Sequence, residues 1–296
     1  MACSLIELTI PLGYLERETN YPLDLTDATI VQTDDLDSSL RENICTAFKE
    51  LQACKLIDFP FPDFCLQTHL PALENVEEAR RLLDRALTTF KLFKGAHVLS
   101  NLAFFSKDGK MTFRHWRHYF HWRRCELTAF FLGKGEEIAF KKFWNEFAEI
   151  NTENFAVYRF HLADFRPYLR DRFVDHVESL EYLFVPDSDE HRIGYKFRSR
   201  GTMVLGEHLA TEERVDLFKQ LKDAYDLRSA IVHGNTTEES RLLPSSDLWE
   251  ERIEIVRRHN IAAIKLLFRA GVLDNYEKRK AFMKTVTLDS KTAAAI

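Results

Sequence analysis

No stretch of roughly 18 apolar residues occurs in the chain, so the sequence offers no membrane-spanning helix. The opening residues, MACSLIELTIPLGYLERE, lack the basic start and apolar run of a secretory leader. Cysteine is sparse: Cys3, Cys45, Cys54, Cys65 and Cys125 are scattered, odd in number and without a C-x-x-C spacing. That argues against a disulfide framework and for reduced thiols. Together these absences predict a soluble, cytoplasmic protein with no membrane partner. A surplus of positive charge is missing as well. The net charge of −5 excludes a general nucleic-acid binder that works through a global basic field. Residues 1–95 hold 9 Lys/Arg against 16 Asp/Glu, which leaves +2 on the remainder, so any phosphate contact falls to local patches. There is no P-loop, no dinucleotide-binding glycine fingerprint and no G-x-S-x-G, and no cofactor is expected. Internal repeats and low-complexity tracts are absent too.

What is present in quantity is apolar and aromatic residues: 45% of the chain is hydrophobic and 24 residues are Phe. Such a chain buries one large core or two modest ones. Residues 5–15 and 27–33 read as β, and Asp37 or Ser38 caps a helix running to about Lys55. Residues 55–71, with three prolines, read as extended or looped. A helix covers 73–94, a hairpin turns at Asp108-Gly109, and a further helix covers 135–149. From about 153 the pattern is helical: 153–165 with Phe155, Tyr158, Leu162 and Phe165 on one face, then 168–184, 192–205, 211–233 and 246–270. Five helices with short connections predict an antiparallel bundle, and the residues after 272 read as a frayed tail. The expected fold class is α+β: an N-terminal α+β recognition or regulatory region (1–150), a C-terminal all-α bundle (151–272) and a tail (273–296).

Within the helix at 211–233, Phe218, Leu221, Tyr225 and Val232 mark an apolar stripe, and Arg228 occupies a position on it. A permanent charge on an apolar face is costly without a partner, so such an arginine is paired or functional. His233 follows five residues later, and Gly234 marks the helix exit.

Arg228-Ser-Ala-Ile-Val-His233 fits the R-x4–6-H motif, and the chain here resembles HEPN domains, helical bundles that often act as metal-independent ribonucleases. Ser179-Leu180-Glu181-Tyr182-Leu183-Phe184, Tyr195-Lys196 and the stretch Tyr225–Gly234 are similar to the Apea-like branch, over roughly 150–271. The resemblance implies a homodimer with a composite site for RNA cleavage, in antiviral or stress defence. A regulatory ligand, or a phage or host factor, would then be sensed by the N-terminal region. RNA supplies its own nucleophile, the 2′-hydroxyl, so cleavage needs a proton acceptor, a proton donor and positive charge on the phosphorane. His233 suits the proton transfers and Arg228 the phosphate. The resemblance puts Glu181 near the motif, orienting the arginine or touching substrate; a structural Glu181–Arg228 pair is the other reading. Ser229 follows the motif arginine, where the family more often has Asn, Asp or His, and Asn235 is a candidate for the missing polar contact.

The stretch Lys110–Arg124 holds five cations (Arg114, Arg117, Arg123 and Arg124 among them), three histidines and five aromatics, without an acid. It reads as a single-strand RNA track or as an amphipathic element with a basic solvent side. His115, His118, His121 and Cys125 lack the second ligand pair of a recognisable metal site. The alternatives to a nuclease are a non-catalytic module that binds RNA or dimerises as a scaffold, and a purely structural oligomerisation domain.

Overall fold

A computed structural model describes residues 6–13, 15–18, 22–53, 62–70, 76–95, 98, 100, 102–107, 110–115, 130–186, 192–286 and 293. The chain is mixed α+β and divides into two compact units, residues 1–152 and 153–296.

The first unit is built on a six-stranded antiparallel sheet. Its strands are β1 (Ile6–Leu12), β3 (Leu23–Asp24), β4 (Thr29–Gln32), β5 (Phe64–Leu70), β6 (Leu102–Lys107) and β7 (Lys110–His115), in the order β3-β4-β5-β1-β6-β7. A separate parallel pair joins β2 (Leu15–Arg17) to β8 (Phe130–Leu132). The period-2 alternation of strands sorts side chains to two faces. Leu8, Ile10, Leu12, Ile30, Phe64, Leu66, Ala103 and Phe105 meet helices α2 (Val76–Lys94) and α3 (Glu137–Glu146), which contribute Leu83, Phe90, Phe140 and Trp144. Cys65 and Phe104 point the other way, onto Leu40, Ile44 and Phe48 of α1 (Ser38–Ala53). Residues 55–71 thus contain β5, which pairs on both sides. Asp37 caps α1, its Oδ1 accepting from the Ser39 and Leu40 amides at 3.0 and 3.2 Å. Strands β6 and β7 pair antiparallel up to Lys107 and Lys110, and the turn expected at Asp108-Gly109 falls outside the described residues.

The second unit is helical among its described residues: α4 (Phe155–Ala163), α5 (Leu169–Phe184), α6 (Ile193–Leu205), α7 (Thr211–Val232), α8 (Thr236–Leu242), α9 (Trp249–Arg269) and α10 (Tyr276–Thr285). Helix α5 packs against α4, α6, α7 and α9. It buries Phe173, Val177, Leu180, Leu183 and Phe184. Helices α6 and α7 lie close because position 201 is glycine: a Cβ there would stand 2.8 Å from Leu221 Cδ1 and 2.9 Å from Phe184 Cε2.

Several expectations need correction. The buried face of α4 is Ala156, Val157, Phe160 and Ala163, while Phe155 and Tyr158 are exposed. Phe160 is the one large aromatic on that face, and beside it Ser179 Oγ donates to the Ala156 carbonyl at 2.8 Å, which ties α4 to α5. Residues 236–242, expected in a polar loop, form α8, capped by Asn235. Residues beyond 272 are not simply frayed: α10 buries Arg279 and Met283, and Val272 and Leu273 are buried before it. Among the described residues, seven α-helices therefore stand where five were expected.

Candidate active site

The buried side of α7 is Leu217, Phe218, Leu221, Ala224, Leu227 and Ala230. It drifts one position off the stripe expected from sequence, so Val232 is 50% exposed and Arg228 stands at the flank rather than the centre. There its guanidinium reaches α5. Arg228 Nη2 lies 3.6 Å from Glu178 Oε1 and 3.6 Å from Glu181 Oε2. Glu178 and Glu181 share a face of α5 by their spacing of three.

Both contacts are too long for hydrogen bonds. Among the described residues Arg228 Nε and Glu181 Oε2, both shielded from solvent, have no hydrogen-bond partner. The neighbouring arginines behave differently. Arg166 closes on Asp175 at 2.5 Å, Arg170 on Glu239 at 2.6 Å, and Arg257 on Glu254 at 2.6 Å. Arg159 joins Asp175 and also reaches Glu178 Oε2 at 3.2 Å. Glu178 is thus shared between Arg159 and Arg228. Sequence reading missed it, although its place one turn before Glu181 was the available signal.

Tyr225 completes the group. Its ring lies against Gly194, where a Cβ would come within 2.8 Å of Tyr225 Cε1, and 5.4 Å from the Phe197 ring centre. Burial pushes the Glu181 carboxyl above the ordinary carboxylate range, Glu178 adds to this, and Arg228 opposes it. Burial and the charge of Glu181 push the Tyr225 hydroxyl up as well.

His233 is the C-cap of α7 and is exposed. Gly234, at φ +66°, turns the chain, with its amide bonded to the Ile231 carbonyl at 3.1 Å and the Asn235 amide to the Ala230 carbonyl at 2.8 Å. This paired closure needs the left-handed conformation that glycine adopts freely. Five residues of α-helix separate Arg228 from His233 by about 7.5 Å along the axis and about 140° around it. Ser229 is partly exposed. The Asn235 side-chain oxygen accepts from the Glu238 amide at 3.1 Å, so that oxygen serves α8 and its amide donors are what a ligand would meet.

Arg114 lies on β7 in the first unit, whereas Arg117, Arg123 and Arg124, with His118, His121 and Cys125, fall outside the described residues. Among the described residues, no group of three or more His, Cys, Asp or Glu side chains is placed to hold a metal ion, and no helix is long and apolar enough to cross a membrane.

The chain matches no family model, no curated protein and no solved structure.

Proposed function

We propose that the chain is a metal-independent endoribonuclease of the HEPN type, acting on RNA in antiviral or stress defence. One observation carries this reading: Arg228 sits beside two carboxylates yet donates no hydrogen bond to either, on the helix that ends at exposed His233. A guanidinium attracted but not tied keeps its fork of donors for an oxyanion. In this reading Arg228 takes the scissile phosphate and His233 moves a proton at the ester oxygens. A homodimer brings two copies of the motif helix to one cleft, which concentrates positive charge in a protein of net charge −5. The N-terminal unit is the sensor of a regulatory ligand or of a phage or host factor.

The test is direct. Purified protein incubated with RNA in EDTA is expected to leave 2′,3′-cyclic phosphate and 5′-hydroxyl ends, and Arg228→Ala or His233→Ala to abolish this. Dependence on magnesium, or 3′-hydroxyl and 5′-phosphate ends, contradicts the proposal. The second reading, a non-catalytic RNA-binding or scaffolding module, draws on the position of Arg228 between Glu178 and Glu181, which also suits a structural ion pair. It predicts RNA affinity or dimerisation without cleavage.

A further inference from the structure

We propose that Glu181 is the residue that reads and deprotonates the ribose 2′-hydroxyl, while Arg228 holds the adjoining phosphate. The inference rests on the ribonuclease reading and assigns the second proton carrier that reading requires.

Two unspent hydrogen-bonding groups are set side by side. Glu181 accepts no hydrogen bond among the described residues, and its side chain remains 24% exposed. Arg228, 3.6 Å away, has donors to spare, and its side chain is 19% exposed. Buried polar groups left unsatisfied are uncommon and costly. A ligand that satisfies both must present an acceptor to the arginine and a donor to the carboxylate, on neighbouring atoms. A ribose-phosphate step does so: the phosphate oxygens accept, and the 2′-hydroxyl beside them donates. A deoxyribose step supplies only the first half.

The surroundings favour carboxylate chemistry over a fixed ion pair. Glu178 is drawn off by Arg159, which leaves Arg228 only partly neutralised. Gly194 gives Tyr225 room to cover one flank of the group. The groups facing Glu181 are Arg228 and Tyr225 from α7 and Glu178 from its own helix, and burial by these elements raises its proton affinity. A carboxylate of raised basicity is a better acceptor for the proton of a hydroxyl.

The step balances without a further reactant. A Glu181 oxygen takes the 2′-hydroxyl proton as the 2′-oxygen forms its bond to phosphorus. The bond from phosphorus to the 5′-oxygen breaks, and that oxygen takes a proton from the His233 imidazolium. The products are the 2′,3′-cyclic phosphate and the 5′-hydroxyl, and water exchange restores both side chains.

The test separates this assignment from the reading beneath it. In the full chain carrying His233→Ala, which blocks turnover, binding of single-stranded all-ribo and all-deoxy oligomers of one sequence is compared. A ribo preference of about tenfold is expected, abolished on adding Glu181→Gln but kept on adding Glu178→Gln. In the His233-containing protein, Glu181→Gln is expected to lower the cleavage rate about 100-fold. It is also expected to remove the limb of the pH profile on which rate rises with pH, leaving the limb that falls. Since the fold disfavours the charged carboxylate, the glutamine variant should melt no lower than the parent protein. No ribo preference in the His233→Ala protein, or a preference that survives Glu181→Gln, overturns the assignment even if RNA is cleaved. Absence of cleavage with the Glu181-dependent preference intact removes the nuclease and leaves Glu181 as the reader of the 2′-hydroxyl.

Discussion

Asp175 on α5 and Arg228 on α7 meet the same electrostatic problem in opposite ways. Asp175 is almost wholly covered and takes guanidinium groups from both Arg159 and Arg166. Arg228 stands between two carboxylates and bonds neither. The consequence for stability differs accordingly. Asp175→Ala leaves two arginines without their acceptor and is expected to cost about 1–3 kcal/mol in denaturant unfolding. Arg228→Ala breaks only long, partly exposed contacts and is expected to cost under about 1 kcal/mol. A loss at Arg228 equal to that at Asp175 would mark the arginine as structural. At this scale the sequence announced a charged residue near an apolar face, together with its carboxylate neighbour Glu181. Glu178 was signalled only by its place one turn before Glu181, and which of the two carboxylates meets Arg228 depends on how α5 and α7 are rotated.

At the scale of elements, helix starts and stops were legible wherever caps and breakers act locally. Asp37 before α1 and Gly234 after α7 are examples. The faces of helices were less so, since α4 exposes the aromatics Phe155 and Tyr158 and buries Ala156, Val157, Phe160 and Ala163. Helix α10 was missed because its anchor is a cation. Arg279 is fully buried, stacks 4.3 Å from the Tyr182 ring centre and donates to the Leu273 carbonyl. A planar guanidinium does both at once, and a lysine ammonium does not. Arg279→Lys should therefore destabilise the unit by about 1–3 kcal/mol and speed amide exchange within 276–285. Unchanged exchange there would show that Met283 alone holds the helix.

Across the whole molecule the two units are expected to yield to acid in different windows. Burial and Arg258 push His259 down to about 4 from an ordinary 6.5. The unfolded chain therefore takes up a proton as pH falls through 6.5, and the folded one only near 4; the second unit loses stability across that interval and none above it. Asp27 in the first unit is below its ordinary 3.8. Burial lifts it, but the Trp144 hydrogen bond and the Arg85 guanidinium outweigh that. Its contribution is present above 3.8 and is lost as pH falls further. Hydrogen exchange along an acid titration should show α9 and α5 losing protection before α2 and α3, and His259→Gln should remove the earlier loss. Simultaneous failure of both units would contradict this. The division into two bodies was legible in the change from mixed to helical periodicity near 153. The pairing of β2 with β8 was not, since distant partners leave no local trace. Distant closure also has a consequence for the order of synthesis. The Asn154 amide reaches the Leu273 carbonyl and the Asp274 carboxylate, 119 and 120 positions onward, so the residue that caps α4 gains these partners only after all of α5 to α9 has been made.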